Sequence, residues 1–264
     1  MAYLPKEHGA YGQLALPLAT ALAVSGVNLP AGLIAVVVVA CFFAHEPLLV
    51  LLGQRGPLVR RDHSRRAGAW LSTLTVIAAG AGGLALATLP ASARWPLLVP
   101  LIPAIPVAVA VVAGREKSWP AETGVSLVLS GAAFPIATAG GATVPAAATV
   151  AIAFAVLFVL ATLAVRVVIL KVRAGGDPAA VASMRRAILV VACGVPIALA
   201  VACLERLLPW TAVAASAPGV VVAVGLATWP PPASRLRALG WALVTTSVVT
   251  AGVLVAGLRL LKTP

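Results

Sequence analysis

Apolar residues run along this chain in long stretches separated by short polar breaks. A helix that crosses a bilayer needs about 20 mostly apolar residues. Nine such segments can be drawn, roughly 10–27, 29–52, 68–89, 95–113, 122–141, 144–171, 185–204, 208–228 and 237–258. The pattern predicts an all-α fold, a polytopic membrane helical bundle of about nine transmembrane helices, forming a single integral membrane domain over 1–264. The fourth segment carries Pro96, Pro100, Pro103 and Pro106, so it is expected to be kinked or partly unwound, which membrane helices tolerate where neighbours satisfy the freed carbonyls.

Composition closes off the alternative of a soluble globule. The chain is 61% hydrophobic and only 10% charged, with a mean hydropathy of +1.07, which leaves too little polar surface to cover a water-exposed core. Charge then orients the segments, because loops kept in the cytoplasm hold the excess of Lys and Arg. With the N-terminus inside, every Lys and Arg except Arg94, Arg206, Arg259 and Lys262 falls on the cytoplasmic side. The net charge of +12 therefore describes a membrane face, and membrane lipids are the expected partners. Nucleic acid is not, since no soluble basic domain is present to grip a duplex. The expected location is the bacterial inner membrane, multi-pass, with the N-terminus cytoplasmic.

Cys41, Cys193 and Cys203 lie in predicted spans without metal-ligand spacing and read as small apolar packing residues. Ala19, Thr20 and Ala21 imitate a signal cleavage site. The first segment nonetheless reads as a retained helix, because its head carries both Lys6 and Glu7 and its removal would leave an even number of spans. The longest extramembrane segments are expected at about 53–67 and 172–184, both cytoplasmic, which places function on that side.

Ionisable residues on the cytoplasmic side are the candidates for chemistry. Lys6, Glu7 and His8 stand together before the first helix and are followed by Gly9 and Gly12, with Tyr11 between them as an interfacial anchor. His45 and Glu46 interrupt the apolar run from Cys41 to Leu52. An ionisable pair inside a span costs several kcal/mol and normally faces a cavity or a partner. Leu49 occupies the second histidine position of H-E-x-x-H, so a zincin reading fails. Arg55, Arg60, Arg61, Arg65 and Arg66 follow, mixed with Asp62 and His63. Such a run marks topology and anionic headgroups, and arginine is also suited to bidentate phosphate binding. The next cytoplasmic connection brings Arg115, Glu116 and Lys117, charges that screen one another, then Glu122 at the head of a segment carrying Ser126 and Ser130. The last brings Lys171, Arg173 and Asp177, where Asp177-Pro178 reads as a helix start.

The opening run Leu4-Pro5-Lys6-Glu7-His8-Gly9-Ala10-Tyr11-Gly12, passing directly into an apolar helix, resembles the start of the YwiC-like membrane proteins, and length and hydropathy fit throughout. A more distant similarity is to the UbiA superfamily of intramembrane prenyltransferases. That resemblance implies nine spans, a cytoplasmic N-terminus and active-site loops after helices two and six. It also implies magnesium held by aspartate-rich motifs against a prenyl diphosphate. His45-Glu46 stands where an Asn-Asp pair would open the first motif, and the second has shrunk to Asp177. The carboxylates this chain offers to magnesium are Glu7, Glu46, Asp62 and Asp177.

Together these readings give a UbiA-like protein with a cytoplasm-facing polar pocket for an isoprenoid or lipid phosphate, with prenyltransferase-like activity as its chemistry. Lys6, Arg60, Arg61, Arg115, Lys117, Lys171 and Arg173 would bind the phosphates. His8, His45, Glu46 and Glu122 would handle protons. A proton-coupled transporter using His45-Glu46 and a non-catalytic membrane scaffold are the alternatives.

Overall fold

The structure, a computed structural model, describes residues 8–173, 178–232 and 236–260, and for His8, Val172, Arg173 and Leu236 it describes the backbone alone. All regular structure among the described residues is helical. In chain order the helices are α1 (His8–Ser25), α2 (Leu29–Leu51), α3 (Pro57–Thr88), two 3-10 turns (Ala91–Ala93 and Trp95–Leu98) and α4 (Leu101–Val112). They continue with α5 (Trp119–Gly131), α6 (Ala133–Ala139), α7 (Val144–Arg173), α8 (Pro178–Leu204), α9 (Thr211–Thr228) and α10 (Leu236–Leu260). Each of the nine apolar segments is thus found as helix. Eight stretches among the described residues are long and apolar enough to cross a membrane, Leu29–Leu51 being the first. Helix α1, which carries Gln13 and Pro17 in its 18 residues, is not among them.

Three boundaries differ from the sequence expectation, each for a local reason. The segment 53–67 is not a loop: after a short turn, Pro57 starts α3 and the chain stays helical to Thr88. Proline suits a first helical position, where its missing N–H is no loss, so the arginine run is wound into the helix. The fifth segment breaks at Ala132 between α5 and α6, where Pro135 cannot donate to the carbonyl of Gly131. The segment 172–184 is cut short, because α8 starts at Pro178, again a proline at a first helical position. The proline-rich fourth segment is, as its prolines predict, unwound at its start into 3-10 turns and becomes α-helical only at Leu101.

The chain that reads as a single domain groups into two compact units, residues 1–142 and 143–264. In the first, α2 runs against α3, α1 against α6, and α4 against α5, around Ala21, Ile34, Leu49, Ala133 and Ile136. Asn28 ties two of its turns together. Its side-chain oxygen caps α2 by accepting from the Ala31 N–H (3.0 Å), and its amide donates to the Ala139 carbonyl at the end of α6 (2.8 Å). Asn28→Ala is expected to lower stability by about 1–2 kcal/mol, since both a cap and a tertiary bond are lost. Asn28→Asp, which keeps only the cap, should lose about half of that; thermal melts of the two variants would separate the roles.

In the second unit, α9 packs between α7, α8 and α10. Its buried face is a file of small residues, Ala212, Ala215, Ser216, Gly219, Ala223 and Ala227, which lets backbones approach closely in lipid. Leu160, Leu163, Ala164 and Val167 of α7 meet Ile188 and Ala192 of α8 and the end of that file. The Thr250 hydroxyl of α10 donates to the Ala215 carbonyl of α9 (3.2 Å). Outward-facing positions are apolar too: Leu101, Ile102, Ile105, Val109 and Val112 of α4 are all exposed, as lipid requires and water would not permit.

Four helix ends share one closure. At the ends of α2, α4, α6 and α8 paired backbone bonds such as Gly53 N–H to Val50 and Gln54 N–H to Leu49 close the last turn, with a residue in the left-handed region at the position past the cap. Those residues are Gly53 (φ 78°), Gly114 (φ 68°), Gly141 (φ 95°) and Arg206 (φ 59°).

Candidate functional site

The turn after α2 and the turn after α4 come together in the first unit. The Gln54 amide donates to the Val111 carbonyl at the end of α4, which fastens one turn to the other. Beside it Arg55 reaches back to α2. Its Nε and one terminal nitrogen donate to the two oxygens of Glu46 (2.8 Å each), and the other terminal nitrogen donates to Glu116 Oε1 (2.9 Å) in the turn before α5. His45 Nε2 lies 3.8 Å from the second oxygen of Glu116. The two carboxylate side chains are 19% and 15% exposed and Arg55 is 29% exposed, so the network is shielded on most sides. Hydrogen bonding to Glu46 raises the Arg55 pKa above its already high ordinary value, against the opposing effect of desolvation. A raised cationic pKa stabilises the fold fully at every pH below the unfolded value, so this contribution is constant through the physiological range.

This local geometry follows from the helix ends. Gly53 allows the chain to reverse after Leu52, so a residue nine positions beyond Glu46 comes back alongside it. Aromatic rings close the adjoining turn of α2: Tyr11 of α1 packs on Phe42 and Phe43, with centroids 5.8 and 6.4 Å away.

Next to the network is a groove of about 770 Å³ framed by Leu51, Leu52, Gly53, Pro57, Arg60, Arg61 and Ser64. The Arg60 side chain passes over Gly53, where an added Cβ would come within 3.5 Å of its Cδ. Its apolar lining comes from Leu51, Leu52 and Pro57, and its polar lining from Arg60, Arg61 and Ser64 on the first turns of α3.

Of the residues singled out from sequence, His45 and Glu46 lie in this network, and Arg60 and Arg61 line the groove. Arg115 and Lys117 flank Glu116 and are exposed, and Asp62 is exposed on α3. Glu122 is partly buried in the first turn of α5, where its backbone carbonyl accepts from the Ser126 hydroxyl (3.2 Å). Lys171 belongs to the second unit, exposed on α7. Lys6, Glu7 and Asp177, and the side chains of His8 and Arg173, lie outside the described residues. Arg55 and Glu116 are the members that sequence reasoning passed over. Arg55 was one basic residue in a run, and Glu116 a charge screened by its neighbours. An acid on the face where only basic residues are required was the available signal.

Among the described residues no group of three or more His, Cys, Asp or Glu side chains is arranged to hold a metal ion. Glu46 already accepts the fork of Arg55, so a guanidinium stands where a magnesium ligand set would need free carboxylate oxygens. The described donors do not suit that ion.

The family model of the YwiC-like proteins matches residues 4–138, just over half of the chain. That stretch contains the whole of the network and the groove. No curated protein and no solved structure matches the chain.

Proposed function

The chain belongs to the YwiC-like family of multi-pass helical membrane proteins, and from that premise we propose that the groove between α2 and α3 binds the phosphate end of an isoprenoid or other lipid phosphate. The groove carries the reading: Leu51, Leu52 and Pro57 offer an apolar lining, while Arg60, Arg61 and Ser64 offer donors, the division an amphiphilic anion presents. Two guanidinium groups match the charge of a phosphate monoester or diphosphate better than ammonium groups would, because each can donate two parallel bonds. With the N-terminus in the cytoplasm of a bacterial cell, this face meets the inner leaflet, where basic residues are retained.

In this reading Arg55, Glu46 and Glu116 are positioning residues. They fix the end of α2 to the turn before α5, and so fix the start of α3 from which Arg60 and Arg61 project. Breaking the C–O bond between a prenyl group and its diphosphate would leave the new negative charge on the departing diphosphate, beside two guanidinium groups that neutralise it, while the prenyl carbon bonds to a nucleophilic acceptor that gives up a proton. Prenyl-group transfer is the reaction this arrangement would suit.

The test is binding of farnesyl monophosphate and farnesyl diphosphate to the purified protein, with farnesol and inorganic phosphate as controls. Arg60→Gln with Arg61→Gln is expected to weaken both phosphates by about tenfold or more, roughly 1.4 kcal/mol or above, with little change in thermal midpoint because both side chains are exposed. Equal affinity in the double variant overturns the reading. A proton-coupled transporter is the second reading, drawn from His45 and Glu116 at 3.8 Å; proteoliposome uptake driven by an imposed proton gradient would support it.

A further inference from the structure

Three of the four helix ends that share the same closure place glycine at the left-handed residue, and the fourth places Arg206 (φ 59°). A side chain there crowds the following carbonyl, which is why glycine dominates the position. Non-glycine residues persist in such conformations where something else depends on them. The packing of the turn does not depend on this one. Arg206 is exposed, and its guanidinium makes no hydrogen bond or ion pair among the described residues, although Glu205 precedes it. Topology does not require it either, since by the span count it stands on the side where cations are few.

The turn does bring Arg206 to the rim of a pocket of about 600 Å³ in the second unit. The ends of α7, α8, α9 and α10 frame it, with Thr143, Cys203, Leu204, Leu208, Trp210 and Leu258 among its walls. Cys203 is turned to the backbone, its thiol donating to the Pro209 carbonyl (3.3 Å). The remaining lining is mostly aliphatic, together with the exposed indole of Trp210, the side chain that settles at headgroup depth in membranes. The pocket therefore offers one cation and a mostly apolar lining.

We propose that this pocket binds the headgroup of an anionic phospholipid, its phosphodiester on the Arg206 guanidinium and its acyl chains against Leu204 and Leu208. A single guanidinium balances the single negative charge of a phosphodiester and can hold two of its oxygens at once. This site is separate from the α2–α3 groove and does not rest on the function proposed for it.

The experiment uses the full chain in detergent micelles doped with photoactivatable phosphatidylglycerol, with adducts mapped by peptide. In the wild type, label is expected on the peptide spanning residues 203–210. In Arg206→Gly that label falls by about tenfold, while the thermal midpoint in lipid-free detergent rises, because glycine relaxes the left-handed turn. The loss of binding would then occur in a protein that is better folded. Arg60→Gln with Arg61→Gln should leave the label unchanged, which separates failure here from failure of the groove. Undiminished label in Arg206→Gly overturns the proposal. So does equal labelling by the phosphatidylcholine analogue, or suppression by millimolar inorganic phosphate, which would make the site one for a free anion. A lower midpoint in Arg206→Gly overturns it too, since Arg206 would then be a structural residue.

Discussion

Replacing Arg55 with Met is expected to lower the stability of the folded protein by about 3 kcal/mol, read as a fall in thermal midpoint of the purified protein. The guanidinium donates to Glu46 twice at 2.8 Å and to Glu116 at 2.9 Å. Its removal takes from both carboxylates the charged donor that joins them. Breaking a fully buried ion pair costs about 3–5 kcal/mol; the partial exposure of all three side chains lets water recover some of that, which sets the expected value at the low end. Arg55→Lys should fall between wild type and Met, because an ammonium keeps the charge but cannot fork. The decisive companion is Arg55→Met combined with Glu46→Gln and Glu116→Gln. If the damage comes from stranded charge, neutralising both acids restores much of the midpoint. If the triple variant is no better than the single one, the network is not what holds these turns together.

Gly219→Val should be comparably damaging, by about 3 kcal/mol, for a reason that is steric and not electrostatic. A Cβ on Gly219 of α9 would lie 2.9 Å from Leu157 Cδ1 and 3.2 Å from Leu157 Cα of α7. The first contact could be relieved by a rotamer change, but the second is backbone and can be relieved only by parting the helices. Overpacking of this kind costs about 1–3 kcal/mol where the surroundings cannot yield. Here the separation would propagate to Leu160, Ala164 and Ala223 further along the seam. Gly219→Ala should cost about half as much. Adding Leu157→Ala should recover little, because Cα stays where it was. Recovery of monodisperse protein from membranes, together with the midpoint, reads the effect; a wild-type midpoint in Gly219→Val would show that the two helices are not in close register.

Much of the architecture could be read from the chain because lipid imposes a coarse rule: a stretch apolar enough to cross must hydrogen-bond to itself. That rule locates helices but says little about where they stop in water. The arginines from Arg60 to Arg66 made a helical stretch look like a loop, although Pro57 announced its start. Pro135 likewise carried the break between α5 and α6, which hydropathy averages away. The site divides in the same manner. His45 and Glu46 were legible because ionisable groups in an apolar run have no other reason to be there. Arg55 and Glu116 were not, because their roles depend on two turns meeting through Gln54 and Val111, and a tertiary contact between turns leaves no periodicity. Charge patterning gave the sign of the surface, whereas pairing within it required coordinates.

Helix α3 contains 32 residues, about 48 Å at 1.5 Å per residue, against about 30 Å of hydrocarbon. The surplus carries Arg60, Arg61, Arg65 and Arg66. On a loop these charges would wander and act as an average; on a continuous helix each has a fixed height and a fixed compass bearing. Inserting one residue between Arg66 and Trp70 would lift the basic extension by about 1.5 Å and swing it by about 100°, turning the groove-facing arginines away while leaving composition and net charge essentially untouched. Length, in this segment, sets direction.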